Sequence, residues 1–386
     1  MMGPMISAMR SIAIALFLVA PASAQAVWTE AAARETLAEV QASAAEGLTP
    51  ADYAPDKLEA ALATSDLAAI SLAAEQSWMA LAKDYAAGRT PEAARIGWKS
   101  PPPRSDADWL KARLAAGLEA GSAGAALKAL LPTHPWYGKL KEGLPAATDP
   151  AARARLRANL DRWRWMPRQM GDRYLMANIP SFEVDLWDGG KPIARHKIIV
   201  GKPNTPTPQF SAVATAVIIN PDWTLPQSIV KESVGSLIRR SPGAARARGY
   251  RWTTGADGQL NVTQLPGANN SLGTLKIEMP NPYAIYFHDT PAKQLFAKPV
   301  RAFSHGCMRT QGILGLALRL LEDQPDWTAA RIDETAAHNE TVRVPLTTQI
   351  PVHIAYFTVL PDRNGVLATH PDIYGRDAPV IAALKG

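Results

Sequence analysis

The chain has 386 residues, 47% apolar and 20% charged, with one cysteine and a net charge of +6. At roughly 100 to 200 residues per domain it can form two or three domains with a substantial core. Wholesale disorder and a disulfide-stapled miniprotein are excluded, and so modest a charge gives no case for a nucleic-acid partner.

Arg10 precedes an apolar run from Ser11 to Ala20, followed by two overlapping A-x-A sites, Ala22-Ser23-Ala24 and Ala24-Gln25-Ala26. This is the pattern of a secretory signal peptide over residues 1–26, and the run is shorter than the roughly 20 residues that cross a bilayer. The expected mature chain is exported, starts near Gln25 or Val27 and does not span the membrane. In an oxidising compartment the unpaired Cys307 is buried and inert, bonded to another chain, or kept because it reacts.

Residues 27–165 read as a helical domain. Leu67, Ile70, Ala74, Trp78, Leu81 and Tyr85 recur at three- and four-residue steps and stop at Gly88 and Pro91, which predicts one helix with a buried stripe. Ser105-x-x-Asp108 reads as a capping box, and Asp149-Pro150 as a cap followed by a first-turn proline. From residue 168 the period changes and a second, β-rich domain is expected to run to 386. Tyr174 to Trp187, a turn at Asp188-Gly189-Gly190, and Ile193 to Val200 predict a hairpin, with further strands at Ala212–Ile219, Tyr283–Phe287, Val342–Pro345 and Val352–Val359. A helix is predicted from about Gly312 to Leu321. Between Trp223 and Met279 lie a short helix around Ser228 to Ile238 and five arginines, Arg239, Arg240, Arg246, Arg248 and Arg251. That stretch reads either as a flap over a site or as a solvated insertion.

The chemistry concentrates in His288-Asp289-Thr290 and Ser304-His305-Gly306-Cys307-Met308-Arg309. A thiol nucleophile needs a base to hold it as thiolate, donors for a tetrahedral oxyanion, and a way to fix a charged substrate. His288 stands at the end of a predicted strand, 307 − 288 = 19 positions before the cysteine. His305 is a second imidazole, Gly306 permits tight packing, the following helix would aim N–H groups at the sulfur, and Arg309 offers a fork for a carboxylate. Two histidines and a cysteine could also be zinc ligands, but the paired close spacings of structural zinc sites are missing, so no metal is expected. His134, His196, His338, His353 and His370 have no such company and read as structural.

Ser304-His-Gly-Cys-x-Arg309 with an upstream His288 resembles the L,D-transpeptidase catalytic domain, the YkuD fold. Asn159 to Pro167, Val200-Gly-Lys-Pro203, Thr207-Pro208, Ile219 to Trp223, Pro266 to Gly273, His288-Asp-Thr-Pro291 and Asp372 to Asp377 are similar to the long, YcbB-type murein members of that family. The resemblance implies an α+β protein, in which a helical scaffold domain over 27–165 precedes a catalytic domain over 168–386 whose residues 223–280 form a substrate-capping insertion. It implies a periplasmic enzyme without cofactor that takes tetrapeptide stems of peptidoglycan as donor and acceptor. Cys307 would attack at the L-centre of diaminopimelate, expel D-Ala and pass the acyl group to a second stem, giving a 3-3 cross-link. His288 would be the base and His305 would shape the oxyanion pocket. Backbone N–H groups of Gly306 and Cys307 are the oxyanion candidates, Arg309 would order the pocket, and Ser304, Asp289 and Thr290 complete the expected oxyanion and substrate contacts. An L,D-carboxypeptidase or hydrolase would use the same site, and a non-catalytic wall-binding protein is the alternative of another class. Long members usually carry a peptidoglycan-binding module, but here only about twenty residues, Leu131 to Pro150, separate scaffold from catalytic domain. Docking on murein would then fall to the flap arginines or to an accessory murein-binding protein.

Overall fold

The computed structural model describes residues 27–385, so the expected signal peptide over 1–26 lies outside the described residues. Among the described residues no helix is long and apolar enough to cross a membrane.

The first part is helical. The predicted stripe forms the helix Leu67–Ala87, capped by the Asp66 carboxylate, which accepts from Ala68 and Ala69 N–H. Ile70, Ala74, Trp78, Leu81 and Tyr85 are buried in one cluster with Trp28, which precedes the first helix, and with Val40, Leu58 and Leu127 of neighbouring helices, while Leu67 is exposed. Asp149 caps the helix Pro150–Trp163 as predicted, with Pro150 in its first turn. The capping box at Ser105 does not form. Asp106, one residue later, accepts the Trp109 N–H at 3.0 Å and starts the helix Ala107–Glu119. A carboxylate one position downstream satisfies the same orphan donor.

The second part is a nine-stranded sheet interrupted by an insertion. Its strands are β1 (Arg173–Asn178), β2 (Glu183–Asp188), β3 (Lys191–Gly201) and β4 (Phe210–Ile219), then β5 (Trp223–Thr224), β6 (Tyr250–Thr254) and β7 (Leu260–Gln264) of the insertion. After these come β8 (Leu275–Glu278), β9 (Phe287–His288), β10 (Ala302–Ser304), β11 (Met308–Thr310) and β12 (Val342–Ala355). The order is β10-β3-β11-β9-β8-β4-β12-β1-β2, and β3 also pairs with β2, so the sheet closes on itself. Three strand expectations are corrected. Tyr174 to Trp187 is two antiparallel strands, turned around Phe182, whose φ is +56°. Val342 to Ala355 is one strand with a register irregularity between Pro345 and Ile350, which absorbs the apparent gap in the pattern. Tyr283 to Phe287 is irregular until Phe287, because Ala284 takes φ +53°.

The core of the sheet is apolar, built from residues such as Leu175, Val217, Ile277, Phe287, Met308 and Val352. The helical and sheet parts are joined by a second apolar cluster in which His134 stacks on Trp163 at 4.3 Å and Trp163 stacks on Phe357 at 4.5 Å. Arg162 Nη1 donates to Asp377 Oδ1 at 2.6 Å across the same junction. Backbone pairing adds to it, since Lys99 N–H donates to the Gln209 carbonyl at 2.8 Å. His353 is structural as expected, its Nδ1 lying 2.9 Å from Ser211 Oγ.

The insertion folds as more than a solvated loop. β5, β7 and β6 form a small antiparallel sheet over Gln227–Ile229, a π-turn at Val230–Val234 and the helix Gly235–Arg240. It has its own core, including Leu225, Val230, Ile238, Tyr250 and Val262.

Candidate active site

Strand pairing gathers the site. β11 runs parallel to β9 with Met308 opposite Phe287 and Arg309 opposite His288, and β8 runs antiparallel to β9 with Lys276 opposite His288. Side chains alternate across a strand, so fully buried Phe287 and Met308 face the core while Lys276, His288 and Arg309 share the other face. Cys307 stands two positions before Arg309, and Tyr286 two before His288.

The turn holding Cys307 is fastened by Ser304. Its hydroxyl donates to the Cys307 carbonyl at 2.6 Å and accepts the Gly306 N–H at 3.1 Å. Thr207 Oγ1 donates to the Gly306 carbonyl at 2.7 Å and accepts the Gly201 N–H at 2.9 Å. Tyr374 completes the platform by donating to the Gly201 carbonyl at 2.6 Å. Gly306 has φ +122°, a backbone conformation that a Cβ would strain. Gly201 is needed for closeness, since a Cβ there would lie 2.1 Å from the Thr205 carbonyl oxygen.

Several expected roles change. The residues after Cys307 are strand, and the next helix begins only at Ile313, so the expected helix does not start at the nucleophile. The Gly306 N–H is spent on Ser304, which leaves the Cys307 N–H as the oxyanion candidate. Ser304 spends its hydroxyl on two hydrogen bonds inside the turn. Asp289 is turned inward as well. Its Oδ2 accepts from Thr274 N and Oγ1, each at 3.3 Å, and Lys293 pairs with its other oxygen. Thr290 is buried, its hydroxyl accepting the Ala292 N–H at 3.2 Å. Both therefore position the His288 loop.

The sulfur is not held as an ion pair with imidazole. Cys307 Sγ donates to the Ala284 carbonyl at 3.4 Å, and burial pushes the thiol up to about 11. The amide and hydroxyl of Tyr286 and the charges of Lys276 and Arg309 pull the other way without prevailing. His288 is pulled down to about 3, first by burial and then by Arg309, with the Asp289 and Leu272 carbonyls opposing. Its Nδ1 lies 2.5 Å from the Asp289 carbonyl oxygen, which can only accept, so the neutral ring keeps its lone pair on Nε2. Burial thus favours the uncharged form of both the thiol and the imidazole. His305 is drawn to the insertion, with Nε2 2.7 Å from Glu232 Oε2 and 3.5 Å from Lys202 Nζ.

Three residues take roles that residue type and spacing do not assign. Tyr286 contributes amide and hydroxyl to the sulfur, Ala284 supplies the thiol acceptor, and Lys276 lies 4.5 Å from the centre of the Tyr286 ring. Alternation along a two-residue strand is too short a signal to reveal them. Neither Arg309 nor Lys276 has a salt-bridge partner among the described residues, although Lys276 also feels the charge of Glu278, so both cations can contribute to receiving an anion near the thiol.

The L,D-transpeptidase catalytic domain (YkuD) model matches residues 172–344 and the Scaffold domain model matches residues 20–144. The chain carries a YkuD L,D-transpeptidase catalytic domain behind a Scaffold domain. It is 29% identical over 224 residues to a Haemophilus influenzae protein named "Putative L,D-transpeptidase", covering 53% of this chain and 45% of that one. The chain thus matches about half the length of that relative. Among solved structures, an L,D-transpeptidase from Mycobacterium smegmatis is 14% identical with a TM-score of 0.25, covering 47% of this chain and 58% of that one. The catalytic domain of the E. faecium L,D-transpeptidase is 16% identical with a TM-score of 0.23, covering 48% of this chain and 98% of that one. In this transpeptidase domain Cys307, His288 and Arg309 come together on one sheet surface, while His305 sits at its border with the insertion.

Proposed function

We propose that the protein is an exported, cysteine-dependent L,D-transpeptidase that forms 3-3 cross-links between peptidoglycan stems in the periplasm. The observation that carries this reading is the β9–β11 register, which pairs Arg309 with His288 on the strand that directly follows Cys307, the sole cysteine of the sequence.

Attack begins when the Cys307 proton passes to His288 Nε2, a transfer that requires the site to tighten around substrate. The Asp289 and Leu272 carbonyls favour the imidazolium once it forms. The thiolate adds to the carbonyl of the stem residue preceding the terminal D-Ala, and the oxyanion is received by the Cys307 N–H. Collapse breaks the C–N bond, the imidazolium proton goes to the leaving D-Ala amine, and a thioester remains. An amine of a second stem, losing its proton to His288, then displaces the sulfur and restores the thiol. Arg309 and Lys276 supply the positive field for stem carboxylates.

The test is incubation of the mature protein with purified sacculi followed by muropeptide analysis. A new dimer joined through two diaminopimelate residues is expected, with none from Cys307→Ala. Release of D-Ala alone would replace this reading with that of a carboxypeptidase.

A further inference from the structure

A cleft of about 1090 Å³ opens between the Scaffold and catalytic domains. One wall is the helices Ala107–Glu119 and Ala123–Lys128 with the segment 99–104, and the other includes Phe210 and Pro280 to Tyr283. No Asp or Glu lines it, whereas Lys99, Arg104, Arg113 and Arg168 do. Arg168 is consumed by the carbonyls of Leu130, Tyr85 and Ala86, and Arg104 is paired with Asp106 at 2.8 Å. Arg113 and Lys99 have no carboxylate partner among the described residues. Half-buried Trp109 carries the Arg113 guanidinium at 5.1 Å from its ring centre and that of Arg104 at 6.0 Å.

The catalytic wall is continuous with the nucleophile. Asn281 Nδ2 donates to the carbonyls of Met279 and Ile285 at 2.6 and 2.7 Å, and its Oδ1 accepts the Tyr283 and Ile285 N–H groups. That one side chain shapes the loop in which Tyr283 borders the cleft while the next carbonyl, Ala284, receives the Cys307 thiol.

We propose that this cleft holds the substrate polymer itself, a sugar chain bearing carboxylate-rich stem peptides. Trp109 holds the Arg113 guanidinium in place at the groove wall, Arg113 and Lys99 take carboxylates of the stems, and one stem passes Tyr283 to reach Cys307. The fit is one of charge and size: a roomy, cationic, partly apolar cleft suits an anionic glycopeptide. The inference rests on the reading under Proposed function.

The test separates the two. Mature protein carrying Trp109→Ala, and a second variant carrying Arg113→Glu with Lys99→Glu at exposed positions, are titrated against purified sacculi in pulldown and separately acylated with a carbapenem. Binding should fall by about tenfold in both variants, as for a removed interface anchor, while the rate of Cys307 adduct formation stays that of the parent. Sacculus binding equal to the parent in the double variant overturns the cleft. So does a loss seen only when Arg239, Arg240, Arg246, Arg248 and Arg251 are changed to Gln. Absence of any adduct in the parent instead defeats the reading on which the inference rests.

Discussion

Glu232 Oε2 and His305 Nε2 lie 2.7 Å apart, one on the π-turn of the insertion and the other two residues before the nucleophile. The contact fastens a separately cored subdomain to the rim of the site, and His305 also holds Glu232 below the usual carboxylate range. π-turns occur often at functional positions. Glu232→Ala is expected to raise amide hydrogen exchange across Val230 to Val234 while leaving the exchange of β9 and β11 unchanged. Equal protection in variant and parent would show that the contact does not hold the insertion down.

The two histidines should separate kinetically. His288→Ala is expected to slow carbapenem acylation by a factor in the 10² to 10⁴ range of acid–base groups, and His305→Ala by much less. Equal losses would mean that their roles are shared. No adduct is expected in Cys307→Ala.

A neutral resting thiol has a pH signature. Burial outweighs the Lys276 and Arg309 charges, so alkylation of Cys307 by iodoacetamide should climb through neutral pH with its midpoint near 11. Arg309→Gln removes a stabilising cation and should slow alkylation several-fold at fixed pH, whereas a plateau already reached at pH 7 would indicate a preformed thiolate.

Acid should destabilise the fold through its buried imidazole. His288 is held near 3 in the folded chain against an ordinary value of 6.5. Below pH 6.5 the unfolded chain takes up the proton first, so this contribution is intact above 6.5 and is lost as pH falls toward 3, at about 1.4 kcal/mol per pH unit. Urea midpoints measured between pH 8 and pH 4 should fall less steeply for His288→Asn than for the parent. Identical slopes would remove His288 from the account.

Ser304→Ala deletes both hydrogen bonds that close the nucleophile turn. A cost of roughly 1 to 3 kcal/mol is expected in denaturant unfolding, from the buried partners left unsatisfied. Acylation should slow as well, because the Cys307 N–H loses its fixed direction. A variant of parental stability would show that Thr207 alone holds the turn.

What could be read from the sequence was local chemistry and period. The Leu67–Ala87 stripe, the Asp149 cap and the thiol with His288 all rest on residue types at fixed spacing. What could not be read was the destination of each polar side chain. Ser304, Asp289 and Thr290 look like site residues in one dimension, yet each finds a backbone or loop partner close by. Tyr286 and Lys276 matter through pairing that joins distant segments, and Phe182 splits one apparent strand through a φ that favours glycine. The state of the sulfur is likewise a tertiary quantity, since neighbouring cations argue for ionisation while the depth of the site argues against it, and depth prevails.

β12 lies between β4 and β1, although it enters the chain after every other strand of the nine-stranded sheet. Its partners are therefore made first and must wait for it with a gap between them. A polypeptide stopped before Val342 would possess Cys307, His288 and Arg309 and still lack the staves that close the barrel around them. The strand that closes the sheet thus begins 342 − 307 = 35 positions after the nucleophile, so the closed form of the sheet needs a segment that leaves the ribosome later than the cysteine does.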